Sequence, residues 1–182
     1  GHCQRREPGR PVDRGPFDVS GPTPGVLTVE LHVHSAHSYD GRDPVETLLE
    51  RAAAVDLDAI AVTDHDVIEG THEALDLAPS YDLLAIPGLE VSSAAGHVLA
   101  LGVDELVPAG LSFQETIDRI HERGGLAVVP HPFQESRSGV LANITKPELT
   151  AADAIEVYNS RLLTGRSNRK AARFARRNNI PM

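Results

Sequence analysis

The sequence predicts an α/β fold built on a mostly parallel sheet, open or closed into a barrel. Three observations predict it. Short apolar runs alternate with helix-type segments from Val26 onward. One of these runs, DAIAVTD, is short, apolar at its centre and fit for a buried parallel strand. Helix-opening signatures recur between the runs, and strands separated by helices pair in parallel. Such folds place chemistry at the carboxyl ends of their strands.

The elements follow in order. Residues 1–25 are rich in Pro, Gly and Arg without periodicity and are expected to form a flexible tail. One domain is expected over 26–182, a length at which single domains are common. VLTVELHV is the first strand. Asp43, Pro44 and Glu46 have the spacing of an N-cap, a first-turn proline and a capping-box acid, opening the helix VETLLERAAAV. DAIAVTD is the second strand and EGTHEALDLA the next helix. LLAIPGLEVSS and HVLALGV are further strands. Ser112 and Glu115 form another capping box, opening FQETIDRIHER, which Gly124 and Gly125 stop. LAVVPHP and AIEVYN are strands, SNRKAARFARRN is a helix, and IPM starts one more strand.

Composition narrows the function. The 182 residues carry a net charge of −9, unevenly spread: residues 1–160 hold 10 basic and 26 acidic side chains, whereas 161–182 hold seven basic and none acidic. An acidic body disfavours nonspecific nucleic-acid binding, and no stable duplex binding is expected. Four Phe, three Tyr and no Trp supply a poor base-stacking platform. No run approaches the roughly 20 apolar residues of a membrane helix, and no signal peptide is evident. A cytoplasmic location without membrane partners is therefore expected. Cys3 is the only cysteine, which excludes an internal disulfide and a Cys-based zinc cluster.

Histidines and acids gather where strands end. His32 and His34, two apart, share a face, and Asp40 follows in the next loop. His65 closes the second strand in VTDHD. Glu90 sits in PGLEVSS, His97 near the start of HVLALGV, and His131 in VVPHP. Imidazole and carboxylate suit zinc, manganese and iron nearly equally. Two or three such cations can clamp an in-line displacement at phosphorus and lower the pKa of bound water. His2, His37, His72 and His121 read as surface or hydrogen-bonded residues, although His37 stands near enough to support a ligand. Asp64 and Asp66 read either as turn residues or as carboxylates that orient the His65 ring. Arg137 and Arg161, on loops leaving the site, are candidate phosphate binders, as is Arg166; Asn159 is a further candidate contact to substrate. The basic residues of SNRKAARFARRN surround that helix and suggest a solvated outer face.

The ordered motifs ELHVHSAHSYDG, VTDHD, IPGLEVSS, GHVLALG and VVPHP resemble the PHP family, named for polymerase and histidinol phosphatase. The resemblance covers about residues 28–182. It implies a distorted (β/α)7 TIM-like barrel with two or three divalent metal ions (Mn, Zn or Fe). His32 and His34 would hold one ion. Glu90 would bridge it to a second, which His97 and His131 also bind, and Asp40 and His65 would serve a third. It implies phosphoester hydrolysis by metal-bound hydroxide on a small substrate: a nucleotide, an RNA end, or a sugar or histidinol phosphate. His97, Asp64 or Asp66 would pass a proton to the leaving group. Glu30 stands where the family usually has Asp. The family's late Asp-x-His does not occur up to Met182, so the barrel is expected to lack its C-terminal part and this chain to bind fewer ions than a complete site. Two other functions fit the same residues: amidohydrolase-like C–N cleavage, and a noncatalytic metal-stabilised module.

Overall fold

A computed structural model of the chain describes residues 25–133, 145–160 and 165–182. The expected tail, except Gly25, lies outside the described residues, as do Arg137 and Arg161.

Strand β1 (Val29–Val33) leads through a tight loop to helix α1 (Val45–Ala54) and back to β2 (Ala59–Val62). Helix α2 (Glu69–Leu77) runs into a 3-10 turn over Ala78–Tyr81 and reaches β3 (Leu84–Ala85). Strands β4 (Gly88–Ser93) and β5 (Gly96–Leu101) form a hairpin. Helix α3 (Phe113–Glu122), β6 (Leu126–Val129), α4 (Lys146–Leu149), β7 (Ala154–Ile155) and α5 (Arg166–Asn178) complete the described elements.

The expected single, mostly parallel sheet is instead two. Strands β1-β2-β3 pair in parallel; β4-β5-β6-β7 pair antiparallel at the first two junctions and parallel at the last. The two-residue connection between β4 and β5 is too short for a parallel crossover, which needs a dozen residues or more. The predicted strand LLAIPGLEVSS is split at Pro87, which has no N–H to donate. Ile86 N–H still donates to Ile60 O at 2.8 Å, and Glu90 N–H to Asp64 O at 3.1 Å. The run therefore follows β2 along its length, and the His65–Glu90 bridge joins the two sheets. The (β/α)7 barrel expected of this chain was one lacking its C-terminal part; strands β1 and β7 are not paired, and the described residues form no closed barrel.

Two apolar clusters hold these layers. One packs Val45, Leu48 and Leu49 of α1 against Ile60 and Val62 of β2 and Ala74 of α2. The other packs β4–β7 against Ile117 and Ile120 of α3 and Phe174 and Ala175 of α5. Burying each large aliphatic side chain stabilises the fold by about 1.5–3 kcal/mol. Helix α5 buries Ala171, Phe174 and Ala175 and leaves its Arg and Lys side chains largely outside, in line with the solvated face expected of it.

Two local expectations part company. At α3 the capping box forms: Ser112 Oγ accepts from Glu115 N–H, and Glu115 Oε2 accepts from Ser112 N–H. At α1 it does not. Pro44 occupies the N-cap with extended backbone, one residue past Asp43, so Asp43 cannot reach the first-turn amides and accepts from Arg51 Nη1 at 2.6 Å instead. The expected strand at IPM reduces to one backbone bond, Ile155 N–H to Pro181 O at 3.0 Å. No described helix is long and apolar enough to cross a membrane.

Candidate metal centre

The site grows from strand geometry. His32 and His34 are two residues apart as β1 ends, so the pleat sends both rings to one side. On the paired strands β4 and β5, Glu90 and Ser92 share a face, and His97 lies opposite Ser92. That register sets His97 diagonally beside Glu90. His65 follows β2 and His131 follows β6, both where strands run out. The sheet joint then brings every one of these rings around Glu90.

Glu90 is 1% exposed. Its two oxygens divide the imidazoles between them. Oε2 lies 3.1 Å from His32 Nε2, 2.9 Å from His34 Nε2 and 3.4 Å from His65 Nε2. Oε1 lies 3.0 Å from His97 Nδ1 and 3.4 Å from His131 Nε2. Asp40 joins from the loop after β1, with Oδ1 2.7 Å from His34 Nδ1 and Oδ2 3.8 Å from His65 Nε2. Ser38 braces this loop: its hydroxyl donates to Asp40 Oδ1 and accepts from the His65 N–H. Tyr39 stacks on the His65 ring, with centroids 4.7 Å apart.

Electrostatics follow from that packing. Burial alone would raise the Glu90 pKa, but the imidazoles of His131, His32, His34 and His97 overturn this and hold the carboxyl well below its usual range. Burial works against a charge on His32, yet its bonds to Glu156 and Glu90 win and push it up to about 10. Burial likewise opposes charge on His34, whose pKa is nevertheless raised through Glu90 and Asp40. Asp40, partly desolvated, is still brought down to about 2 by His34. Burial lowers the His65 pKa, which favours the neutral, ligating form of that ring.

The donor set fits divalent ions. His32 Nε2, His34 Nε2 and Glu90 Oε2 form a triangle with sides of 2.9–3.1 Å. Ligand atoms about 2.0–2.2 Å from one first-row cation stand roughly 3–3.5 Å from each other. Two more triads, His34–Asp40–His65 and His65–Glu90–His97, have ligand atoms within 4.8 Å of one another. Glu90 Oε1 and the Nδ1 atoms of His65, His97 and His131 are buried without a hydrogen bond among the described residues. Such atoms are costly unless something coordinates them. His97 Nδ1 and Glu90 Oε1 are near neighbours that lack hydrogen-bond geometry, an arrangement suited to sharing an ion.

The other sequence candidates fall differently. Asp64 accepts from the Ser35 N–H and hydroxyl, both at 2.6 Å, and is 1% exposed. Asp66, at φ 55°, accepts from the Ser92 N–H at 2.7 Å. Asp64 thus ties the loop after β1, and Asp66 the end of β4, to the segment that follows β2. Asn159 lines the cleft, and its amide donates to Glu156. His37, His72 and His121 bond Glu73, Asp104 O and Asp153 at the surface.

Sequence reasoning left Glu156 unplaced. Its carboxylate faces the cleft, 3.1 Å from His32 Nδ1. The available signal was parity: Ile155 is buried in the core, so its strand neighbour points the other way. The whole arrangement opens into a cleft of about 920 Å³, also lined by Arg42, Tyr39 and Tyr158.

Comparison with known proteins accords with this geometry. The PHP domain family profile matches residues 30–162. The uncharacterized protein MJ1587 of Methanocaldococcus jannaschii is 31% identical over 144 residues, covering 74% of this chain and 82% of that protein. A phosphoribosyl 1,2-cyclic phosphate 1,2-diphosphodiesterase of Eggerthella lenta is 36% identical over 99 residues, covering 50% of this chain and 37% of the enzyme. Among solved structures, a two-domain protein of Bacteroides vulgatus containing a predicted PHP-like metal-dependent phosphoesterase superposes with a TM-score of 0.69 at 23% identity. The match covers 85% of this chain and 49% of that one.

Proposed function

The chain belongs to the PHP domain family, and from that premise we propose that it is a metal-dependent phosphoesterase acting on a small phosphorylated substrate: a nucleotide, an RNA end, or a sugar or histidinol phosphate. One observation carries the proposal. A single buried carboxylate, Glu90, presents one oxygen to His32, His34 and His65 and the other to His97 and His131. A carboxylate that divides its ligand neighbours in this way is suited to bridge two ions. We read the two joined sheets as parts of the family's distorted barrel.

His32 and His34 would hold one ion with Glu90 Oε2; His97 and His131 would hold a second with Glu90 Oε1; Asp40 and His65 would serve a third. Bound divalent ions would supply Lewis-acid polarisation of phosphoryl oxygens and a water activated near neutral pH. His97 Nδ1 lies against Glu90, which favours a ligand's task over that of a proton donor to the leaving group. Asp40 fixes the His34 ring through Nδ1, leaving Nε2 for the centre. Arg42 and Asn159 line the cleft, which supports a role for them toward phosphoryl or sugar oxygens. The cleft volume of about 920 Å³ suits a small substrate. The named activity of the Eggerthella relative, on a cyclic phosphodiester, supports the same class of bond.

The test is a hydrolysis screen of the protein reconstituted with manganese, zinc or iron. Substrates are nucleotides, bisphosphonucleotides, short RNA, histidinol phosphate and a cyclic amide. We expect phosphate release that chelation abolishes and that His65→Ala or His34→Ala removes. Turnover of the cyclic amide alone would replace this reading with C–N hydrolysis. Tight metal with no turnover would replace it with a structural module.

A further inference from the structure

We infer that Glu156 is a positioning residue that couples the two halves of the metal centre, fixing the tautomer of His32 and the backbone of His131 with one carboxylate. The inference rests on the reading of His32 and His131 as metal ligands.

Glu156 follows β7, at the far edge of the second sheet, while His32 sits on β1, at the outer edge of the first. These two edges share no backbone ladder. The carboxylate spans them instead. Oε1 accepts from His32 Nδ1 at 3.1 Å, across 124 residues of sequence. Oε2 accepts from the His131 N–H at 2.7 Å. Asn159 Nδ2 donates to both oxygens, at 3.4 and 3.2 Å, and so braces the carboxylate. Its side chain is 15% exposed.

Each bond has a consequence for the centre. Donation of Nδ1–H to Glu156 leaves His32 Nε2 as the atom that faces Glu90 and His34. An imidazole held this way presents the correct nitrogen and is the more basic for it. His131 has φ 30°, a left-handed value uncommon outside glycine. The bond from its N–H is a local restraint on that conformation, which carries the ring to Glu90 Oε1. Thus His32 meets one oxygen of Glu90 and His131 the other, and Glu156 sets both.

The charge and the pair of acceptor oxygens are both required. Glutamine has one carbonyl oxygen, so it cannot accept from His32 and His131 at separate oxygens. Aspartate is one methylene shorter, which draws both oxygens back from their partners.

The experiment titrates metal-stripped wild type, Glu156→Gln and Ile155→Val with zinc and manganese, following affinity with a competing chelator. Ile155→Val loosens the same strand in the core without touching the carboxylate. Nitrogen-15 spectra of zinc-loaded wild type report the His32 tautomer and need no variant. We expect Glu156→Gln to weaken affinity by roughly 10–100-fold, Ile155→Val to leave it within about 2-fold, and His32 Nδ1 to keep its proton in the loaded protein. Equal affinity in wild type and Glu156→Gln, an equal loss in Ile155→Val, or a His32 Nδ1 without a proton would overturn the inference alone. Wild type that binds no cation would overturn the metal reading beneath it as well.

Discussion

A carboxylate buried to 1% exposure is expensive unless charges answer it, and Glu90 is answered by five imidazoles. Removing its charge should therefore empty the centre. Glu90→Gln is expected to lower zinc or manganese affinity by more than the roughly 10–100-fold that outer hydrogen-bond partners cost, as read by calorimetric titration. Retained affinity would deny Glu90 its central place. The protons of this cluster make a second prediction. The pKa of His32, about 10 in the fold against 6.5 as its ordinary value, is raised. A raised pKa gives stability that is full below pH 6.5 and lost as pH climbs through 10. In metal-stripped protein, the stability gap between wild type and His32→Gln should shrink steadily between pH 7 and 10.5, measured by urea unfolding. Metal binding near pH 7 should release protons, seen as a dependence of the binding heat on buffer. At this scale the sequence was informative about residue type and place. His32, His34, His65, Glu90, His97 and His131 were all marked by ending or flanking strands, and the fold brings them together. Which way Asp64 and Asp66 point was not legible, because a continuously apolar strand has no alternation to reveal its faces. Their partners come from elsewhere in the chain, Ser35 from the loop after β1 and Ser92 from β4.

Helix α3 and helix α1 show why an element's opening signature needs its backbone. Both have the right residues at the right spacing, yet only Ser112 sits in the N-cap position. Pro44 shifts the start of α1 by one residue and strands Asp43 outside it. Ser112→Ala should cost about 1 kcal/mol, within the usual 0.5–2 for a lost cap. Asp43→Ala removes only an exposed pair with Arg51 and should cost about 0–1 kcal/mol. Urea denaturation of the two variants checks the order; a larger loss at Asp43 would contradict the cap assignment. Helix α2 gives a second test. A Cβ at Gly70 would stand 2.0 Å from Asp64 Oδ2 and 2.9 Å from Ser35 Oγ. Gly70→Ala must push the helix off the Asp64–Ser35 tie, so a loss of about 1–3 kcal/mol is expected, although alanine is the better helix former. Strand order was the least legible property at this scale. The run from Leu84 to Ser93 reads as one strand. Pairing with β2 on one stretch and β5 on the other depends on Pro87 and on the tight turn before Gly96, whose effects reach across the sheet.

At the scale of the molecule, the seven described strands form two sheets joined at His65 and Glu90, and the candidate metal ligands come from both. Ions held there would tie the sheets as well as serve chemistry, so metal and global stability should be linked. At metal concentrations about 100 times the dissociation constant, binding to the folded state alone adds about 2.7 kcal/mol. Thermal unfolding should accordingly shift upward with zinc or manganese and fall back on chelation, and His97→Ala should blunt the shift. The α/β class and the order of elements were legible in the sequence. The division into two sheets was not, because parallel and antiparallel pairing share the same local pattern and differ only in which distant strand is chosen. The most direct test of the central claim is anomalous X-ray scattering from crystals soaked in manganese or zinc. The account predicts density peaks about 2.0–2.3 Å from the Glu90 carboxylate, ringed by His32, His34, His97 and His131. Peaks confined to surface pairs such as His37–Glu73 or His121–Asp153, with none beside Glu90, would contradict it.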